Sequence, residues 1–356
     1  MNNLQYYYRI LSQLNQWLPD KRITQVRNMA LMIMGLHLSS SVHLSKIAQK
    51  WPFESKEISL TNRLRRFLKN SKVEVREWYE PILVHLLSAF AGKQIRLVID
   101  CTKIGFNYRV MMIGLAYKKR TLPLVWSIHR GSRGHTTAER QIALFKYLCP
   151  YLPKRSEIWV VGDTEFQSVP LLRWFARQSW HFVIRQQGKN KVRWHNQAWI
   201  KLSELALEPG QTRYIGWVRL TETHDAGWYW LILHWEIGED EPWFLICDCS
   251  GQRSLIQMYK TRMWIEEMFG DFKGHGFDLE ATHLNDPDRL SRLVLVVCIT
   301  FVWFITLGSW VVKRGFRHFV DHLSRRDKSY FRIGWDWLER CLRLDRPFFI
   351  TLNPYF

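Results

Sequence analysis

Four polar residues near the carboxyl third of the chain sit at a spacing that could do chemistry. In YKTRMWIEEMFGDFK, Tyr259, Arg262, Glu266 and Lys273 lie at offsets of 0, 3, 7 and 14. On a continuous helix these offsets fall at roughly 0°, 300°, 340° and 320° around the axis. All four would share one face within about 60°. That stripe combines a phenol, a guanidinium, a carboxylate and an ammonium. An exposed i,i+4 ion pair between Arg262 and Glu266 would use the same spacing. It would not call for the tyrosine or the distant lysine. Glu267 points about 100° away from Glu266, and Asp271 also points elsewhere.

Two further carboxylates follow apolar runs. Asp100 closes Ile95–Ile99, and Asp163 closes the buried-strand pattern before Gly162. Side chains at the carboxyl edge of an α/β sheet converge on one crevice. Two carboxylates there repel unless a cation lies between them. Hard oxygen donors suit Mg²⁺ or Mn²⁺. Asp100, Asp163 and Glu266 are therefore the expected catalytic, metal-holding set. Thr102, Glu165, Gln167 and Arg185 are further polar residues near strand ends, with Arg185 a phosphate contact.

The elements that must position these groups follow from periodicity. Residues 1–90 carry helical spacing, through Met29, Leu31, Met34 and Leu36 and again through Leu60, Leu64 and Phe67. Leu44–Lys50 and Leu60–Phe67 read as two short helices around a Trp51–Pro52 break. Arg63, Arg65 and Arg66 lie on the second, as in a helix-turn-helix reader or any basic bundle. From 91 to 187 the pattern is three strands, helix, strand, helix, strand, the order of a ribonuclease-H-like α/β core. Lys118-Lys119-Arg120 reads as a tight hairpin turn. Residues 188–250 read as a β-rich insertion, with strands at Trp228–Trp235 and Trp243–Cys247. Residues 251–314 return to helix and complete the core, and 315–356 form a basic tail with a helix near Trp335–Leu344.

Composition restricts the partners. The chain has 356 residues, 51 Lys and Arg against 32 Asp and Glu, and a formal charge of +19. Such a surplus points to polyanions, with nucleic acid the commonest. A hydrophobic share of 47% excludes wholesale disorder. The six cysteines are scattered, and Cys247-x-Cys249 without a second pair makes a poor zinc site. Reduced thiols fit a cytosolic protein. Nineteen tryptophans supply faces that could stack on bases. Leu293–Val312 is twenty uncharged residues, long enough to cross a bilayer. Its position late in a basic chain favours a buried core helix, without a membrane.

The pattern Y-x₂-R-x₃-E-x₆-K, met by Tyr259, Arg262, Glu266 and Lys273, resembles the signature of the DDE transposases of the fourth insertion-sequence family. Asp100 in LVIDCT and Asp163 in VVGDTEF resemble that family's first two catalytic aspartates. The resemblance covers roughly residues 94–310. It implies a ribonuclease-H-like core with a β-rich insertion, two Mg²⁺ or Mn²⁺ ions, and cut-and-paste movement of a bacterial element. The expected partners are double-stranded DNA, at the terminal inverted repeats and the target, and a second copy of the chain when assembled on DNA. A cytoplasmic, nucleoid-associated location follows. The helical region 1–90 is expected to bind element ends. Tyr259, Arg262, Lys273 and Arg185 are expected to contact DNA, and Trp235 and Trp243 to offer stacking faces for a flipped base. Other readings are a different metal nuclease of this fold or a catalytically idle, domesticated DNA-binding protein.

Overall fold

The computed structural model describes residues 3–105, 107–131, 136–194, 197–224 and 226–355. Five helices come first: α1 (Asn3–Trp17), α2 (Ile23–Ser39), α3 (Leu44–Ala48), α4 (Glu57–Lys69) and α5 (Val75–Ser88). Helix α2 is apolar nearly all round and is buried along most of its length, as such a helix must be. The amphipathic α4 buries Leu60, Leu64, Phe67 and Leu68 and leaves Arg65 and Arg66 in solvent.

Strands β1 (Ile95–Ile104), β2 (Tyr108–Tyr117) and β3 (Arg120–Arg130) form an antiparallel meander. Lys118 and Lys119 make the β2–β3 turn with φ of 49° and 61°. Positive φ at both central residues is the two-residue turn that matches strand twist. Next come α6 (Ala138–Leu148), β4 (Ile158–Gly162), α7 (Val169–Arg177) and β5 (His181–Gln186). Strand β4 is buried at every position and pairs in parallel with both β1 and β5. A continuous apolar run suits a strand covered on both faces. The order β3-β2-β1-β4-β5 is that of the ribonuclease-H-like fold, as expected.

The β-rich region 188–250 is joined to the central sheet. Its strands are β6 (Lys191–Arg193), β7 (Ile200–Lys201), β8 (Thr212–Leu220), β9 (Gly227–His234) and β10 (Trp243–Cys247). Strand β10 pairs antiparallel with β5, so the region extends the central sheet to ten strands among the described residues. Strand β10 is buried at every position, as suits a strand that joins an existing sheet edge and is covered in turn by β9.

The remaining helices are α8 (Arg253–Lys260), α9 (Met263–Phe272), α10 (Pro287–Lys313) and α11 (Tyr330–Arg343). Helix α10 is the bilayer-length run, and 94% of its apolar stretch is buried inside the fold. It touches the N-terminal helices, β3 and α11, which accounts for apolar residues on all its sides. Helix α11 crosses it where Gly308 meets Gly334. A Cβ on Gly334 would lie 2.0 Å from the Phe304 carbonyl oxygen, and one on Gly308 would lie 1.9 Å from that of Tyr330. Residues 315–356 therefore include a core helix as well as a basic tail.

The helical region and the sheet share one hydrophobic core. Polar bridges also tie them together. The buried Arg292 of α10 donates to the Leu68 and Val73 carbonyls, and the Tyr79 hydroxyl donates to the Pro123 carbonyl. A charge buried this deeply is stable only when such bonds satisfy it.

Candidate active site

Asp100 lies within β1 rather than at its end. The strand runs on to Ile104, because Cys101–Ile104 keep pairing with Tyr108–Met111 of β2. On the other side β4 stops at Gly162, opposite Ile99. Asp100 is thus the first residue past the parallel part of the sheet, and Asp163 leaves β4 at the same level. The two aspartates converge as expected, although only one of them ends a strand.

Asp163 caps a short 3₁₀ turn, accepting the Glu165 N–H at 2.9 Å. Asp100 is 8% exposed and accepts the N–H of Cys101 at 2.7 Å. Burial pushes its carboxyl up to about 7, and the charge of Asp163 adds to the shift. Arg262 and the Cys101 N–H pull the other way, and Glu266 raises it further. Hard oxygen donors with unbalanced negative charge fit a divalent cation.

The predicted signature helix is two helices. Thr261 and Arg262 form a tight turn in which Thr261, Arg262, Trp264 and Ile265 each donate to the carbonyl three residues back. The break lets α8 pack on β4 and β5 while α9 passes over β1, β2 and β3. Tyr259 lies in the last turn of α8, Arg262 stands at the break, and Glu266 lies one turn into α9.

Arg262 Nη1 is 2.5 Å from Glu266 Oε1 and 3.8 Å from Asp100 Oδ2. Glu266 keeps 41% of its side chain exposed. Tyr259 is 2% exposed. Burial moves its hydroxyl up to about 12, while Arg262 and the hydrogen-bonded Arg185 oppose the shift. Asp163 also lies within electrostatic reach of this hydroxyl. Tyr259, Arg262, Glu266, Arg185, Asp100 and Asp163 therefore form one electrostatic cluster.

Lys273 does not share the stripe. Helix α9 stops at Phe272, and Lys273 leaves helical geometry with φ −91° and ψ −134°. Its ammonium pairs with Glu280 at 2.7 Å. The opposite face of α9 behaves as its periodicity requires: Glu267 and Asp271 both pair with Arg120, at 3.1 and 2.6 Å. Trp243 packs edge-on to Tyr259, with ring centroids 5.1 Å apart, and is 7% exposed. It backs the site and offers no open stacking face in this arrangement. Trp235 is half-buried, and its indole N–H donates to the Glu239 carbonyl.

Across the sheet from Asp100, Glu165 joins several elements. It pairs with Arg109 at 2.6 Å and accepts from the backbone N–H and hydroxyl of Thr136 at 2.9 Å each. Cys101 Sγ lies 3.3 Å away. Burial raises this carboxyl, but Thr136 and Arg109 outweigh it and leave it lowered. Sequence reasoning missed Arg109. The signal was an arginine early in the otherwise apolar strand β2.

A separate trio, His181, Asp248 and Cys249, has its potential ligand atoms within 4.8 Å of one another. It lies where β5 begins, at the opposite edge from Asp100. His181 Nδ1 is bonded to Asp248 Oδ2 at 2.7 Å, and Asp248 Oδ1 accepts the Phe182 N–H at 3.0 Å. These bonds close the strand end. Cys247 is buried in a small core beneath α8.

Residues 100–303, more than half of the chain, match the family model described as the transposase DDE domain. No curated protein matches the chain. Among solved structures, it is similar to a cryo-EM structure of the piggyBac transposase synaptic complex with hairpin DNA. That similarity has a TM-score of 0.45 and 11% identity, over 97% of this chain and 82% of that one.

Proposed function

The chain belongs to the transposase DDE domain family, and on that premise we propose that it is a cut-and-paste DNA transposase of a bacterial insertion sequence, with Asp100, Asp163 and Glu266 as its catalytic carboxylates. The observation that supports the reading is that Arg262 contacts Glu266 and faces Asp100, while Asp163 lies within electrostatic reach of Asp100. Two Mg²⁺ or Mn²⁺ ions, when bound there, supply Lewis acidity, a lowered pKa for a bound water or 3′-hydroxyl, and charge stabilisation of the leaving oxygen.

The protein's own groups hold the DNA. Arg262 presents a guanidinium fork that fits a phosphate's paired oxygens. In the free protein it holds Glu266 instead. Arrival of a DNA phosphate at Arg262 would free the Glu266 carboxylate for the cation. The buried Tyr259 hydroxyl stays protonated and can donate a hydrogen bond at neutral pH. Arg185 steadies that hydroxyl and adds positive charge. Lys273 contributes a point charge at the periphery. The low exposure of Asp100 keeps bulk water from screening these interactions.

The finer reading rests on the Tyr-Arg-Glu-Lys resemblance to the fourth insertion-sequence family. Hydrolysis releases a 3′-hydroxyl at the element end. That hydroxyl attacks the opposite strand to form a hairpin, water reopens it, and the freed 3′-hydroxyl joins target DNA. The helical region 1–90 would hold the terminal inverted repeats, in a dimer assembled on DNA in the cytoplasm. Trp235 would be the aromatic that meets an unpaired base.

The test uses duplexes carrying the sequence just outside the gene. With Mg²⁺ the full chain should nick at an inverted repeat, yield a hairpin that runs as a longer single strand on a denaturing gel, and join the end to a plasmid. Nicking without joining would make it a different metal nuclease of this fold. Binding without nicking would make it a domesticated DNA-binding protein.

A further inference from the structure

Behind α9, on the face opposite Glu266, lies a groove of about 770 Å³. It is bounded by the β2–β3 turn, the outer side of α9 and the segment leading into α11. Seven Lys or Arg side chains line it against three carboxylates. Two of those carboxylates, Glu267 and Asp271, are already neutralised by Arg120. Besides Arg120, three of the cations are likewise held, Arg317 by Asp321 and both Lys328 and Arg332 by Asp336, while the third carboxylate, Asp327, makes no ion pair among the described residues.

Three cations remain exposed and make no ion pair among the described residues: Lys118, Lys119 and Arg326. Each sits at positive φ, at 49°, 61° and 48°. A two-residue turn of this kind favours Asn and Gly, and long side chains there are strained. Strain of this sort gathers where a side chain has a use. Trp264 lies half-buried in the same groove and adds a flat aromatic surface.

We propose that this groove binds the phosphodiester backbone of a DNA strand, held by Lys118, Lys119 and Arg326 on the far side of α9 from the catalytic carboxylates. The inference rests on the transposase reading and adds a second DNA contact to it. Three unpaired cations lining one groove against a single unpaired carboxylate, Asp327, form a positive track. Contact with phosphates would release counterions in proportion to the charges engaged. A duplex would use the cations alone, whereas a single strand would also stack a base on Trp264.

The experiment measures binding of the full chain to a labelled duplex and to a labelled single strand of arbitrary sequence across a salt series. The variant is Lys118→Gln/Lys119→Gln/Arg326→Gln, and the control is Lys154→Gln/Arg155→Gln, two exposed cations elsewhere. The slope of log affinity against log salt should become shallower by about 2 to 3 in the groove variant, at roughly 0.9 per phosphate on duplex and 0.7 on single strand. It should not change in the control, and thermal unfolding should match wild type in both. A change in the single-strand arm alone assigns a single strand, and a change in the duplex arm assigns a duplex. An unchanged slope in both arms, with the wild type binding DNA, overturns the groove and leaves the transposase reading intact. A wild-type chain that binds neither DNA overturns both.

Discussion

Arg262 holds Glu266 with a contact of 2.5 Å, and the same nitrogen, Nη1, lies 3.8 Å from Asp100. One guanidinium thus spans two carboxylates that come from different elements. Its removal should act on DNA and on the carboxylates together. Arg262→Ala should slow single-turnover cleavage by about 100-fold or more, the usual loss for a group that stabilises developing charge. It should also make the salt slope of DNA binding shallower by about 0.9. Arg262→Lys should restore most of the slope and little of the rate, because an ammonium keeps the charge but not the fork. A slope that Arg262→Ala leaves unchanged removes this residue from the phosphate contacts.

The two tryptophans expected to offer stacking faces should separate by what their loss costs. Trp243 is buried against Tyr259. Trp243→Ala should destabilise the fold by about 3 to 5 kcal/mol. Trp235→Ala removes a half-buried ring at the end of β9 and should spare stability while weakening hairpin formation. Urea unfolding read beside hairpin yield tests both. Equal destabilisation by the two variants would place Trp235 in the core as well.

His37 makes stability depend on acid. It is fully buried, and its Nδ1 meets the Tyr6 hydroxyl at 3.0 Å. The ring is enclosed by Phe304 and Trp335. Burial lowers its pKa from 6.5 to about 3. The unfolded chain therefore takes up a proton near pH 6.5 that the folded chain refuses. The contribution is intact above pH 6.5 and is lost as pH falls toward 3, by up to about 1.4 kcal/mol for each pH unit. His37→Gln should flatten this loss between pH 6.5 and 5 in urea titrations. If wild type and variant lose stability in parallel, another group carries the acid sensitivity.

The α10–α11 crossing should not tolerate a methyl group. Gly334→Ala places a Cβ 2.0 Å from the Phe304 carbonyl oxygen. Forcing the helices apart should cost about 3 kcal/mol or more. Calorimetry would read this as a clear drop in Tm. A variant with wild-type Tm would show that the two helices can separate freely.

Much of this arrangement was legible from local pattern. The Lys118–Lys119 turn stood between two apolar runs of strand length. The division of labour on α9 also followed from helical period, which set Glu266 apart from Glu267. What escaped the pattern was set by tertiary contact. The break at Thr261–Arg262 arises because one segment must cover β4 and β5 and then β1 to β3, and nothing in the local composition announces it. The same break, with the helix ending at Phe272, sends Lys273 to Glu280 instead of to the stripe. Strand β1 outran its apolar signal because Cys101, Thr102 and Lys103 gain their partners from β2 rather than from a core face. Strands β9 and β10 read correctly as strands. Their attachment to β5 was not visible, because pairing between distant segments leaves no mark on either one alone.

The most direct measurement of the central claim compares two adjacent glutamates. Full-length Glu266→Gln and Glu267→Gln chains should be assayed for Mg²⁺-dependent cleavage of a duplex bearing the sequence that flanks the gene, with binding to the same duplex as the control for folding. Glu266→Gln should bind and not cut, and Glu267→Gln should bind and cut near the wild-type rate. Cleavage retained by Glu266→Gln, or lost only in Glu267→Gln, would contradict the assignment of the carboxylates.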